Sequence, residues 1–177
     1  GAGVNCRDRI ALLLGRMRVP AIRGTPPFWR MNYVHNQLWM SAVHMNERNL
    51  EHYIDKLSVF QPAAIEGYPS TVYILARYLE SKGKVLPVRA VFTSSETLHS
   101  FQRETIERAF SCKIFDYYGM AERVVFATEC QAHSGRHLNF EYGLTEIVDA
   151  DGVSVADGNN GVVVSTGLQN FGMPLIR

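Results

Sequence analysis

AAIEGYPSTVYILARYLESKGKVLPVRAVFTSSETL, residues 63–98, decides the fold. Ala63, Ala64 and Ile65 read as a short buried strand, and Ser70 is placed to cap a helix that runs through Leu79 and stops near Gly83. Val88 to Thr93 then returns to a strand rich in β-branched and aromatic residues. Working outward, Leu50, Tyr53, Ile54, Leu57 and Phe60 recur at i, i+3, i+4, i+7 and i+10, behind Asn46 as N-cap and Glu47 at the positive helix end. Pro62 closes that helix. Downstream, Thr97 or Ser100 starts a third helix with Leu98, Phe101, Ile106, Ala109 and Phe110 on one face, and KIFDY at 113–117 is the next strand. Strands alternating with helices of this length predict a parallel sheet with helical crossovers.

The flanks extend the pattern. IALLLG at 10–15 is a uniformly apolar run ended by glycine, expected to be a strand buried on both faces. From there to Met45 the aromatic and β-branched content points to extended segments without a clean period. After Gly119 the period changes: Val124–Ala127, His137–Tyr142, Leu144–Val148 and Val162–Thr166 read as strands, and FGMPLIR at 171–177 as a further one. Asp-Gly at 151–152 and 157–158 and Asn-Gly at 160–161 are hairpin signals. The expected class is therefore α/β, a parallel sheet in residues 1–119 followed by an antiparallel β segment in 120–177. Both ends run into apolar strands, so the chain is expected to be an internal piece of something longer.

The 177 residues, 46% apolar and 20% charged, suit a globular chain with a sizeable core. Eighteen basic and 17 acidic side chains leave a formal charge of +1, so no global field draws the molecule to nucleic acid or an anionic membrane. Three cysteines fit a reducing compartment better than a disulfide framework, which points to the cytoplasm. Oligomeric state has no sequence signal.

In a parallel sheet, ligands bind beyond the carboxyl ends of the strands. Glu66-Gly67-Tyr68-Pro69-Ser70, Thr93-Ser94-Ser95-Glu96-Thr97 and Asp116-Tyr117-Tyr118-Gly119-Met120-Ala121-Glu122 each follow a predicted strand, bringing hydroxyls, aromatics and carboxylates to one edge. A second constellation is Cys130, His133 and His137, in C-x2-H-x3-H spacing near Glu129, which could hold Zn²⁺ if Cys112 or another group completed the set. Cys130 and His137 are the expected ligands; a polar turn over one packed thiol is the alternative.

YGMAE at 118–122 resembles the Tyr-Gly-x-Thr-Glu signature of the adenylate-forming enzymes. SSETL at 94–98, SAVHM at 41–45 and NNGVVVSTGLQNFGMPLIR at 159–177 are similar, in the same order, to that superfamily's adenine-side turn, its pocket-histidine segment and the approach to its Thr-Gly-Asp. EGYPSTVYILA, Arg123 and MPLIR look most like the phenylacetate-coenzyme A ligase branch and the capsular polysaccharide biosynthesis proteins akin to it. The resemblance implies a fragment of a large N-terminal domain of this class that forms acyl-adenylate from ATP and a small carboxylate, with Mg²⁺ and, as thiol acceptor, coenzyme A. It further implies that Tyr118, with Gly119 beside it, stacks on adenine and that Asp116 accepts from the base. Ser94, Ser95 and Glu96 would run along the base, Glu122 would act catalytically by holding Mg²⁺, and His44 and Tyr68 would border the carboxylate pocket. Each residue also has an ordinary reading as a packed aromatic, a solvated ion pair or a helix-start turn.

Two departures bear on activity. Ala121 stands where the signature has threonine, and no Gly/Ser/Thr-rich phosphate loop occurs in the 177 residues. The isolated chain is therefore expected to be inactive. Two other functions compete with the ligase: a non-catalytic scaffold or ligand-binding domain of the same fold, and a zinc-stabilised interaction module.

Overall fold

The computed structural model describes residues 2–13, 15 and 19–176; Leu14 of the expected first strand and Arg177 of the last lie outside them. The chain divides into two compact units, Gly1–Asp116 and Tyr117–Arg177.

The first unit is α/β. Its strands are β1 (Ile10–Leu13), β2 (Trp29–Asn32), β3 (Gln37–Met40), β4 (Ala64–Gly67), β5 (Ala90–Ser94) and the start of β6 (Lys113–Gly119), in the order β2-β3-β1-β4-β5-β6. β1 is parallel to both β3 and β4, and β4 is parallel to β5; only β2, against β3, runs antiparallel. β1 is not buried evenly on both faces as its composition predicts: Ala11 and Leu13 are buried while Ile10 and Leu12 are half-buried, an alternation that its apolar sequence hides.

Helices α1 (Leu50–Phe60), α2 (Pro69–Ser81) and α3 (Ser100–Phe110) make the connections into β4, β5 and β6. The face of α1 read from the sequence is the buried one, Leu50, Tyr53, Ile54, Leu57 and Phe60. Burying each side chain is worth about 1.5–3 kcal/mol over leaving it in water. Asn46 does not cap it. Its carbonyl accepts from the N–H groups of Asn49 and Leu50, so residues 46–49 form a lead-in turn and Asn49 is the N-cap. α1 ends on Gln61 in the left-handed region, φ 49°, its N–H bonded to the Leu57 carbonyl at 2.8 Å.

α2 begins one residue before the expected cap, with Tyr68 as N-cap and Pro69 as its first residue, where a missing N–H costs nothing. Ser70 lies inside the helix. α3 starts at Ser100 behind His99, and the Gln102 carboxamide oxygen accepts from the His99 N–H at 3.1 Å. Phe101, expected on the core face, is 54% exposed and packs instead on the surface, edge-on to Tyr73 and stacked on His99. The buried positions of α3 are Gln102, Thr105, Ile106, Ala109 and Phe110.

In the second unit Tyr117–Gly119 of β6 pairs antiparallel with β7 (Phe126–Glu129), and β7 with β8 (Arg136–Leu138). β9 (Gly143–Val148) and β10 (Val162–Gly167) form a separate antiparallel pair. Their connection is long. Asp151-Gly152 makes a tight turn, its neighbouring Asp149 carboxylate accepting from the N–H groups of Asp151 and Val153, and Asp157-Gly158 makes another, closed by the Asn159 N–H to Ala156 carbonyl bond at 3.2 Å with Gly158 at φ 86°. Asn160-Gly161 is no turn: a Cβ on Gly161 would stand 2.6 Å from the Val148 carbonyl oxygen, so glycine there permits a close approach at the mouth of the ladder. Residues 171–176 form no strand, because Pro174 removes a donor and the segment is held chiefly by the Gly167 N–H to Leu175 carbonyl bond at 2.9 Å. Among the described residues no helix is long and apolar enough to cross a membrane.

In the first unit Gly67 is closely packed. A Cβ there would fall 2.9 Å from Leu13 Cβ, 3.0 Å from Val72 Cγ2 and 3.2 Å from the Leu13 carbonyl oxygen. Gly67→Ala should cost about 1–3 kcal/mol by overpacking, whereas Gln61→Gly, relieving a left-handed side chain, should gain about 1 kcal/mol. Urea midpoints of the two variants should move in opposite directions; a Gly67→Ala midpoint equal to the parent's would refute the packing argument.

Candidate functional site

In the first unit the strand ends are level, since Leu13 pairs with Gly67 and Gly67 with Thr93. Beyond β4 lies Tyr68, half-buried, its ring against the backbone of Gly15: a Cβ there would stand 3.1 Å from Tyr68 Cε2. Beyond β5 the chain bends sharply at Ser95, a non-glycine residue at φ 68°, whose hydroxyl is 3.3 Å from that of buried Ser94. The bend sends Glu96 back across the sheet edge. Its carboxylate accepts from the Ser70 backbone N–H and the Ser70 hydroxyl, both at 3.0 Å. Tyr68 supplies no side-chain cap to α2, so Glu96 serves in that place, a negative charge on the positive helix end. No local sequence signal marks this bond, which spans 26 residues.

Asp116, on β6, is 2% exposed and accepts from the Thr93 hydroxyl at 2.5 Å. A carboxylate has about four acceptor sites, so this bond fixes its orientation without exhausting it. His44 lies in a single 3-10 turn, Ala42–His44. Its ring stacks on Phe28 with centroids 5.1 Å apart, Nδ1 is 2.7 Å from the Ser41 hydroxyl, and Nε2 is buried without a hydrogen-bond partner.

In the second unit Tyr118 sits near the end of β6, opposite Ala127, and is 39% exposed. Gly119 follows opposite Phe126. The chain then turns through Met120–Arg123, closed by the Arg123 N–H to Met120 carbonyl bond at 3.0 Å, with Arg123 left-handed at φ 59°. Ala121, Glu122 and Arg123 form one wall of a cleft of about 480 Å³ whose other wall is Gln169, Asn170 and Met173. The side chains of Glu122 and Arg123 are exposed and make no hydrogen bond or ion pair with another described residue. Val124 anchors the turn. Gly143 and Gly167 face each other across the β9–β10 ladder, and a Cβ on Gly143 would overlap the Val124 carbonyl oxygen while one on Gly167 would meet Val124 Cγ1 at 3.0 Å.

The structure brings the two expected zinc ligands, Cys130 and His137, together, and turns the His133 ring away from them. His133, itself left-handed at φ 50°, pairs with Glu129, Nδ1 to Oε2 3.3 Å, while Cys130 engages His137. Among the described residues no group of three or more His, Cys, Asp or Glu is placed to hold a metal ion. Cys112, the supposed fourth ligand, is instead packed against the core of the first unit. The Cys130 thiol is held below the usual thiol range, first by the Ala132 backbone N–H at 3.4 Å and then by the His137 imidazole, whereas burial pushes Cys112 up to about 12.

No family model matches the sequence. The chain is 36% identical over 166 residues to the protein CapK of Staphylococcus aureus, a match that covers 92% of this chain and 35% of that protein. The chain is thus similar in sequence to CapK over nearly all of its own length. Among solved structures, an open conformation of 2-hydroxyisobutyryl-CoA ligase in complex with 2-HIB-AMP and CoA superposes with a TM-score of 0.72 at 20% identity, over 99% of this chain and 39% of that one. A long-chain-fatty-acid-CoA ligase from Archaeoglobus fulgidus gives 0.62 at 14% identity, over 93% and 35%. The fold is shared. The chain spans 35% of the curated relative's length and little more of the first solved ligase.

Thr93→Val should remove one buried hydrogen bond to Asp116 and cost about 1 kcal/mol. A Thr93→Val protein as stable as the parent at neutral pH would remove Asp116 from the list of groups the fold orients.

The thiols give a separate test. At pH 8 iodoacetamide should modify Cys130 within minutes and leave Cys112 untouched until the protein is unfolded, because only the thiolate reacts. Peptide mapping that finds the two equally labelled in folded protein would contradict their opposite environments.

Proposed function

We propose that the chain is part of an ATP-dependent carboxylate-activating ligase. Tyr118 carries the reading: a tyrosine ring partly open to solvent near a strand end, followed four residues later by a carboxylate, Glu122, that has no partner among the described residues and stands at the lip of a cleft. An exposed aromatic face suits a nucleobase, and a hard, unpaired carboxylate suits Mg²⁺ on a phosphate. In the reaction of this class a substrate carboxylate attacks the α-phosphorus of ATP, pyrophosphate leaves, and a thiol then displaces AMP from the acyl-adenylate. The solved ligases with this fold include ones holding acyl-AMP and CoA, which supports coenzyme A as the thiol and a small carboxylic acid as substrate.

The roles assigned to the remaining residues rest on the resemblance. Asp116 and the Ser94–Glu96 bend would frame the base, Gly119 would follow the stacked tyrosine, and His44 and Tyr68 would border the acyl pocket. The unpartnered Nε2 of His44 supports its part, since a buried imidazole nitrogen is costly without a partner and a substrate carboxylate would supply one. The 177 residues contain no phosphate-cradling loop, so the chain by itself is proposed not to release pyrophosphate. A second reading, a scaffold that keeps the fold without catalysis, is favoured by Ala121, where the signature hydroxyl is absent.

Titration of the chain with ATP in a calorimeter tests the ligase reading. Tyr118→Phe should bind as the parent does, and Tyr118→Ala should bind about 5- to 100-fold more weakly, the range expected for loss of about 1–3 kcal/mol of stacking. Equal binding by both variants would place the base elsewhere.

A further inference from the structure

The guanidinium of Arg123 has no partner among the described residues, and the backbone that carries it is in an unusual place. At φ 59° a glycine would be easier to accommodate, and the turn is closed by a main-chain bond from the Arg123 N–H that any residue other than proline could make. Folding therefore gains nothing visible from arginine at this position. What arginine adds is a fixed positive charge, with five donors in a planar fork, on the wall of the cleft that Ala121 and Glu122 also line. Val124, the next residue, is locked by the facing glycines 143 and 167, so the root of that side chain is held in place.

We propose that Arg123 binds a phosphate group of the nucleotide in this cleft, supplying the donors that a threonine hydroxyl at position 121 would otherwise give. The inference rests on the nucleotide reading above and adds to it the residue that holds the phosphate. Charge decides the ligand class. A lone carboxylate substrate would meet Arg123 favourably but would be repelled by Glu122, one residue away. A phosphate that carries a divalent cation satisfies both walls, the guanidinium pairing with phosphate oxygens and the Glu122 carboxylate with the metal. Asn170 fits the same ligand: its Oδ1 accepts from the Met173 N–H at 3.2 Å, which leaves its NH₂ as a donor on the opposite wall.

The test is calorimetric titration of the whole chain and of R123G, R123A and R123K with Mg·ATP, with adenosine and with magnesium tripolyphosphate. Glycine is the telling substitution, because it removes the guanidinium while suiting the left-handed backbone, so a loss of binding in R123G cannot be put down to a damaged turn. Expected are ATP and tripolyphosphate binding about 10- to 100-fold weaker in R123G and R123A, a smaller loss in R123K, and adenosine binding unchanged in all three. R123G binding ATP as tightly as the parent overturns the role of Arg123 and leaves the nucleotide reading intact. A parent chain that binds adenosine and ATP equally well likewise overturns it, since no phosphate is then being held. A parent that binds neither ATP nor adenosine overturns the nucleotide reading and this inference with it.

Discussion

The loop edge of the first unit is set by one row of the sheet. Leu13, Gly67 and Thr93 are paired in register across β1, β4 and β5, and the Thr93 hydroxyl reaches Asp116 on β6. All four positions are buried. Parallel strands hydrogen-bonded in this register must end together, and that places the residues following each strand along a common edge. The row tolerates little change because Gly67 lies within van der Waals contact of Leu13 and Val72, leaving no volume for a side chain. Its last member, Asp116, is a carboxylate in a buried position, and such a group is stable there only when its oxygens have partners. The threonine on the neighbouring strand thus satisfies the carboxylate and ties β5 to β6 at the level where the loops begin.

The second unit meets a different constraint with a similar solution. A two-stranded antiparallel pair such as β9–β10 is marginal alone, so its contacts with the rest of its unit matter. Gly143 and Gly167 provide one by leaving a gap in the ladder that Val124 fills. The turn Met120–Arg123 is therefore fixed at both ends, by β6 on one side and by Val124 on the other. Glu122 and Arg123 need not be held by side-chain bonds of their own, and they project from a turn whose backbone is already determined.

The alternation of β4, α2, β5, α3 and β6 was legible in the sequence because each helix carries an apolar face at helical spacing and each strand is a short β-branched run. The buried face of α1 was legible residue by residue. Where the reading slipped, the cause was an interaction between residues far apart in the chain. Ser70 has the chemistry of a cap, yet the group that satisfies the start of α2 is Glu96, 26 residues on. Phe101 is apolar and at a plausible helical position, but Tyr73 and His99 offer it a surface partner while Ile106 and Phe110 fill the core. The spacing of Cys130, His133 and His137 says which residues are near in sequence; the left-handed His133 then turns its ring to Glu129, while Cys130 meets His137. At the candidate site, Tyr118 and Glu122 were visible through the likeness of YGMAE to a known signature. Arg123 was visible only as a neighbour, since a positive φ in a non-glycine residue leaves no trace in the sequence.

The distribution of satisfied and unsatisfied polar groups separates the groups that build the edge from those able to meet a ligand. Glu96 and Ser70 spend their bonds on each other, and Thr93 spends its hydroxyl on Asp116. Removing such a group for binding would cost the fold a bond for each one gained. Tyr118, Glu122 and Arg123 carry no such commitment: the ring is partly exposed, and the two charges have no partner among the described residues. A ligand that engages them breaks nothing. Opposite charges one residue apart in sequence, exposed and unpaired, would be of little use to stability even if they met, because a solvated ion pair contributes at most about 1 kcal/mol. Their value is greater when they stay apart and a metal-bearing anion bridges the two, since each charge then gains a partner that water does not replace so well. The turn that presents them is rigid for reasons lying elsewhere, in the glycine pair behind Val124, so the charges are held ready without being neutralised by the fold that holds them.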